Sequence, residues 1–204
     1  VKNYGAQVIL IHDAGNIGDC IAKCMETALS MAKEDPNVYV PQQFENEANS
    51  AAHREQTAKE ILEQAGKPIH GFCSGIGTGG TITGIGEALK AANPDMEIWA
   101  IEPENAAILS GKEVGSHLQM GIGDGVIPAI LNQEIYDDIV IVTDEEAVKT
   151  AKELAAKEGL MCGISSGTNV AAALRLAKKL GPGKTVVTIL ADTAERYFST
   201  PLFD

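Results

Sequence analysis

Long apolar runs are missing from this chain. No stretch approaches the roughly 20 residues that a membrane-spanning helix needs, and no signal-peptide pattern stands at the start, so a membrane protein is not expected. Basic residues are scarce: 16 Lys and Arg stand against 28 Asp and Glu, a net charge of −12. That balance excludes binding driven by a nucleic-acid backbone or by anionic lipid, while leaving room for a local anion site built from backbone amides. Cysteine is sparse as well. The 4 cysteines make no disulfide framework at this length, and their spacing matches no zinc motif. Cys20 and Cys24 lie one helical turn apart with no third ligand nearby. All are read as reduced thiols of a cytoplasmic protein, and no metal site is expected. What is present is ordinary for a folded domain: 45% hydrophobic and 22% charged residues exclude wholesale disorder. A chain of 204 residues holds one large α/β domain, or one domain and part of another.

The first residues, Val1-Lys2-Asn3-Tyr4-Gly5, read as the last turn of a helix closed by glycine, with no initiator Met. The expectation is a chain that lacks what came before. Residues 7–11 are a strand of Val, Ile and Leu, and 12–16 their loop. From 17 to 33, Ile21, Met25, Ala28, Leu29 and Ala32 recur at helical spacing, and Asp35-Pro36-Asn37 breaks the helix. Val38-Tyr39-Val40 is a short second strand, followed by a polar stretch at 41–46. Asn49 or Ser50 can cap a helix to Ala65, ended by Gly66-Lys67-Pro68.

Further strands are expected at 69–73, 97–102, 139–142 and 185–191, and helices at 83–92, 147–158 and 169–180. Thr143 with Glu146 forms a capping box for the second of these helices. The glycine-rich span 105–125 is long for a structureless loop, and such loops are usually functional. Strands alternating with helices give an α/β fold with a doubly wound, mostly parallel sheet. Loops 75–80, 121–125 and 163–167 then converge beyond the carboxyl ends of the strands, where such sheets bind ligands.

The chain is organised around GIGTGGTITGIG, residues 75–86. Strand, glycine-rich turn and helix aim successive N–H groups at one spot, with the positive end of the helix dipole behind them. A phosphate is the expected occupant. Gly77, Gly79 and Gly80 allow close backbone approach and positive φ, while Thr78 and Thr81 add hydroxyl donors. A P-loop is excluded, because no Lys follows the turn before Lys90. A dinucleotide fingerprint matches on letters at 75–80, with Glu102 available as the acidic ribose partner. Two threonines in the turn suit a terminal phosphate monoester better, yet the letters leave both readings standing.

Five stretches taken together carry a resemblance: GTGGT at 77–81, QQFEN at 42–46, GIG at 121–123, GISSGT at 163–168 and ERYFST at 195–200. In this order and spacing the chain resembles the O-acetylserine sulfhydrylase (cysteine synthase) family, fold-type II enzymes that use pyridoxal 5′-phosphate. The resemblance runs over all 204 residues. It implies a remnant of a smaller N-terminal domain at 1–45 and the larger cofactor-binding domain at 46–204. It also implies that Gly77, Thr78, Gly79, Gly80 and Thr81 cradle the cofactor phosphate and that Ser165 meets the pyridine nitrogen. A neutral hydroxyl at that nitrogen makes a milder electron sink than an aspartate would. Gln43, with Phe44 beside it, and Gly121 would contact substrate. The implied reaction is a β-replacement: O-acetylserine loses acetate and sulfide adds, giving cysteine. A homodimer in the cytoplasm is implied, as is docking of the C-terminal tail of serine acetyltransferase.

Several features depart from the family. Its Schiff-base lysine and its TSGNTG loop have no counterpart here, and neither Lys90 nor Lys112 stands in a context that would replace that lysine. The chain alone is therefore expected to be catalytically inactive. Met120, Asp124, Ala191 and Ala194 replace residues more usual in relatives. Rival readings are a cystathionine β-synthase-like or O-phosphoserine-using relative, a non-catalytic module that docks the acetyltransferase tail, and a nucleotide-binding oxidoreductase domain. No arginine in the expected loops suits the phosphate of O-phosphoserine.

Overall fold

The computed structural model describes residues 2–12 and 17–204. Helix α1 spans Ile17–Glu34. Helices α2 (Ala48–Ala52) and α3 (Ala58–Ala65) are joined by a π turn at His53–Thr57. Strand β1 (Gly71–Gly75), helix α4 (Gly80–Ala92) and strand β2 (Glu97–Pro103) follow. Strand β3 (Asp138–Val142) leads through α5 (Asp144–Glu158) and α6 (Ile164–Leu180) to β4 (Val186–Thr188). The strands pair in parallel in the order β3-β2-β1-β4. This is the expected α/β architecture, and it puts four carboxyl-terminal strand ends along one side.

Alternation along the strands sorts side chains to opposite faces. Phe72, Ile98 and Ala100 pack with Ile82, Ile85 and Leu89 of α4. Cys73, Trp99 and Ile101 face the other way, onto Ala147 and Ala151 of α5 and Ile164, Ala172 and Leu176 of α6. Both faces are therefore covered, as a parallel sheet requires. Each fully buried Ile or Leu contributes about 1.5–3 kcal/mol of transfer free energy. Burial also pushes the Cys73 thiol up to about 12, leaving it an inert core residue.

Two expected strands do not form. Residues 6–12 and 38–40 enter no ladder among the described residues. Their β-branched composition is suitable, yet a strand exists only by pairing, and Ile9 and Leu10 are more than half exposed. The loop expected at 12–16 lies outside the described residues except for His12. Helix α1 forms as its periodicity requires, although none of its residues is buried. Helices α4, α5 and α6 begin three to five residues earlier than the letters suggest, at Gly80, Asp144 and Ile164. At α4 and α6 the glycine and hydroxyl residues that read as turn belong to the first helical turn, and at α5 that turn opens with Asp144, Glu145 and Glu146. Thr143 caps α5 by accepting from the Glu146 N–H at 3.1 Å. The other half of the box is absent, because the Glu146 carboxylate pairs with Arg175 on α6.

Candidate functional site

The strand ends open into one large cavity of about 1020 Å³. Its near wall is the turn between β1 and α4. Gly79 holds φ at +81°, a left-handed conformation that turns the chain into α4. Close approach explains two more glycines: a Cβ on Gly77 would meet the Gly121 carbonyl at 2.4 Å, and one on Gly80 would meet Asn49 Oδ1 at 2.1 Å. The GIG loop is tied to this turn by Gly123 N–H donating to the Ile76 carbonyl at 2.9 Å. Asn169 on α6 clamps the end of β1, accepting from the Gly75 N–H and donating to the Ile189 carbonyl, both at 2.8 Å.

Gly77, Thr78, Gly79, Thr81, Gln43, Phe44, Gly121 and Ser165 all line this cavity. Gly80, the remaining residue of the expected set, stands one step behind, as the first residue of α4. The two serines that open α6 divide their work. Ser166 is fully buried and its Oγ accepts the Ala191 N–H at 3.0 Å. Ser165 is 5% exposed, lines the cavity, and its hydroxyl bonds no protein group among the described residues.

Glu102 is not available as a ribose partner. Its buried carboxylate accepts from Leu109 N–H (2.8 Å), Ser110 N–H (3.0 Å) and the Ser110 hydroxyl (2.7 Å), pinning the loop that follows β2. The dinucleotide reading thus loses the acidic residue it needs.

Other lining residues escape a reading by motif. Asp124 projects into the cavity beside Gly77, and burial pushes its carboxyl up, with His117 pulling the other way. Asp192 accepts the Tyr197 hydroxyl on Oδ2 at 2.6 Å, while its buried Oδ1 has no partner among the described residues. Burial, and then that carboxylate, raises the Tyr197 phenol. Arg196 is also in the wall, where no arginine was expected. No lysine is found among the described lining residues. Gln42 holds φ at +52°, an uncommon conformation for a non-glycine residue, and its carbonyl accepts the Glu45 and Asn46 N–H groups beside the site. Nothing in the letters marks that strain.

The chain is similar to known proteins in sequence and in overall fold. The chain is 46% identical to a probable cysteine synthase of Bacillus subtilis (strain 168), an alignment that takes in 100% of this chain and 65% of that protein. Among solved structures, O-ureido-L-serine synthase superposes with a TM-score of 0.91 at 38% identity, over 100% of this chain and 63% of the other. The cysteine synthase of Entamoeba histolytica gives 0.88 at 37% identity, over 99% and 59%. The chain thus spans less than two thirds of the length of these relatives. Residues 1–192 match the family model described as pyridoxal-phosphate dependent enzyme, and the chain belongs to that family.

Proposed function

We propose that this chain forms the cofactor-binding part of an enzyme that makes L-cysteine from O-acetyl-L-serine and sulfide with pyridoxal 5′-phosphate. The observation that carries the reading is the meeting, in one cavity, of a turn shaped for an anion and a Ser165 hydroxyl with no protein partner among the described residues. The residues fit the cofactor. Backbone and hydroxyl donors at 77–81 suit its phosphate, the cradle closes if Gly77 or Gly80 gains a Cβ, and Ser165 is free to meet a ring nitrogen. When bound, the cofactor supplies the electron sink that lets the β-substituent of the substrate leave.

The chain's own residues then divide the remaining work. Thr78, Gly79 and Thr81, at the start of α4, hold the phosphate dianion with the helix dipole behind them. Ser165 orients the ring without supplying a charge. Gln43 and Phe44 face the substrate from the far side, and Gly121 lets the GIG loop lie close over it. Residues 1–45 belong to a smaller domain and 46–204 to the larger one. With no lysine in the described cavity wall, the 204-residue chain on its own holds the cofactor without a covalent bond. A homodimer, a cytoplasmic setting and docking of the serine acetyltransferase tail in this cavity complete the reading. Among the described residues no helix is long and apolar enough to cross a membrane.

The test is to mix the purified chain with pyridoxal 5′-phosphate, reduce with borohydride, and record the intact mass and the release of cysteine from O-acetylserine and sulfide. Saturable binding with neither a stoichiometric mass adduct nor turnover is expected. Turnover by the chain alone would overturn the non-covalent part, and failure to bind would overturn the whole.

A further inference from the structure

Asn49 stands where α2 passes behind the anion turn, and its amide sits between two parts of the site. Nδ2 donates to the Gln43 carbonyl at 2.9 Å and to Thr78 Oγ1 at 2.9 Å. The orientation of the amide follows from chemistry. A backbone carbonyl only accepts, so the end of the amide that faces Gln43 is the nitrogen, and Thr78 Oγ1, bonded to that same nitrogen, also accepts. The Gly80 N–H approaches the same oxygen at 3.4 Å. The lone pairs of Thr78 are thereby engaged by protein donors, while its own O–H finds no acceptor among the described residues. Thr78 lines the cavity, so an acceptor for that proton has to come from whatever the cavity holds.

We propose that Asn49 is a positioning residue of the anion site: by donating to Thr78 Oγ1 it commits the Thr78 hydroxyl proton to the phosphate monoester in the cavity. This inference rests on the reading of that cavity given above. It also accounts for Gly80. The amide oxygen of Asn49 occupies the place of a Cβ there, so the side chain that orients Thr78 is seated directly on the first residue of α4. Because the same amide holds the Gln43 carbonyl, the segment on the substrate side and the phosphate turn are tied through one group.

The test uses pyridoxine 5′-phosphate, which has no aldehyde and so reads the site without any lysine chemistry. Its dissociation constant is measured by calorimetry, and the phosphorus resonance of the bound ester by NMR, for the wild-type chain, Asn49→Ala, Thr78→Val and the double variant. Each single change is expected to weaken binding about tenfold, the scale of one hydrogen bond to a charged group. The double variant should be no weaker than the worse single one, because both remove the same donated proton. Asn49→Asp draws the Thr78 proton to its carboxylate and sets an acceptor against the Gln43 carbonyl, so it should bind more weakly than Asn49→Ala and unfold at a lower urea midpoint. Affinity for unphosphorylated pyridoxine should not change in any variant.

Effects that multiply in the double variant, or an Asn49→Asp chain that binds like wild type, would overturn the role of Asn49 while leaving the cavity's assignment intact. A wild-type chain that binds pyridoxine 5′-phosphate no better than pyridoxine would overturn both.

Discussion

The cavity has two walls of opposite character. The near wall, from β1 through the turn to α4, stands on side chains with no solvent exposure at all: Phe72, Ile82, Ile85 and Leu89. The far wall is made by α1 and residues 40–44, and there only Phe44 is buried. Both were written with clear local signals, a glycine-rich turn in one case and a helical apolar period in the other. The difference is that the near wall packs against a sheet, whereas α1 presents Ile21, Met25, Ala28 and Leu29 to the cavity itself. A periodic pattern makes a helix; packing against a partner makes it a rigid one.

The largest effect expected from this contrast is on stability. Ile85→Ala should lower the unfolding free energy by about 2–5 kcal/mol through the cavity it leaves, whereas Leu29→Ala should cost about 0.5 kcal/mol. Urea titration with both variants reads this directly, and equal losses would break the comparison. Next comes Gly77→Ala, whose Cβ collides with the Gly121 carbonyl. Overpacking of about 1–3 kcal/mol should weaken pyridoxine 5′-phosphate binding by about 10- to 100-fold in calorimetry.

Finer still is the split between the two serines of α6. Ser165→Ala should weaken pyridoxine 5′-phosphate by about 0.5–1.5 kcal/mol and leave the urea midpoint in place. Ser166→Ala should shift the midpoint by a similar free energy, because it strips the acceptor from the Ala191 N–H. If the two variants behaved alike, the assignment of Ser165 to the cavity would fail.

The smallest effect concerns pH. Burial raises the Asp124 carboxyl above its unfolded value, so its ionised form opposes folding at neutral pH and its protonated form does not. Asp124→Asn should therefore stabilise the chain at pH 7. The gain should shrink as pH falls through the raised native value and vanish below about 3.9, the unfolded value. Anion affinity at pH 7 should rise in the same variant, since a charge facing the cavity is removed. A pH-independent gain in urea titrations would contradict this.

Much of this was legible in the letters, and the reason is physical. The turn at 75–81 carries its chemistry in residue types that serve little else, glycine at positions of close approach and threonine as donor, so its position beside the Ser165 segment could be expected. The strands within the sheet were readable because both of their faces are apolar. The strands expected at 7–11 and 38–40 were not, because ladder formation depends on a neighbour that local composition cannot name. Asn49, Asp124 and Arg196 were missed or undervalued for a related reason. Each belongs to the site through distant packing: Asn49 lies 29 positions before the threonine it bonds. Glu102 shows the converse, since a well-placed letter is fully occupied by its own loop.

The account depends most on a grip by the near wall on a doubly charged ester oxygen cluster, and competition calorimetry with pyridoxine 5′-phosphate against pyridoxine measures that grip alone. Charge-assisted hydrogen bonds at about 1.5–3 kcal/mol each predict that the ester binds at least about 100-fold more tightly than the alcohol, with inorganic phosphate competing. Equal affinities for the two, or no competition by phosphate, would contradict it.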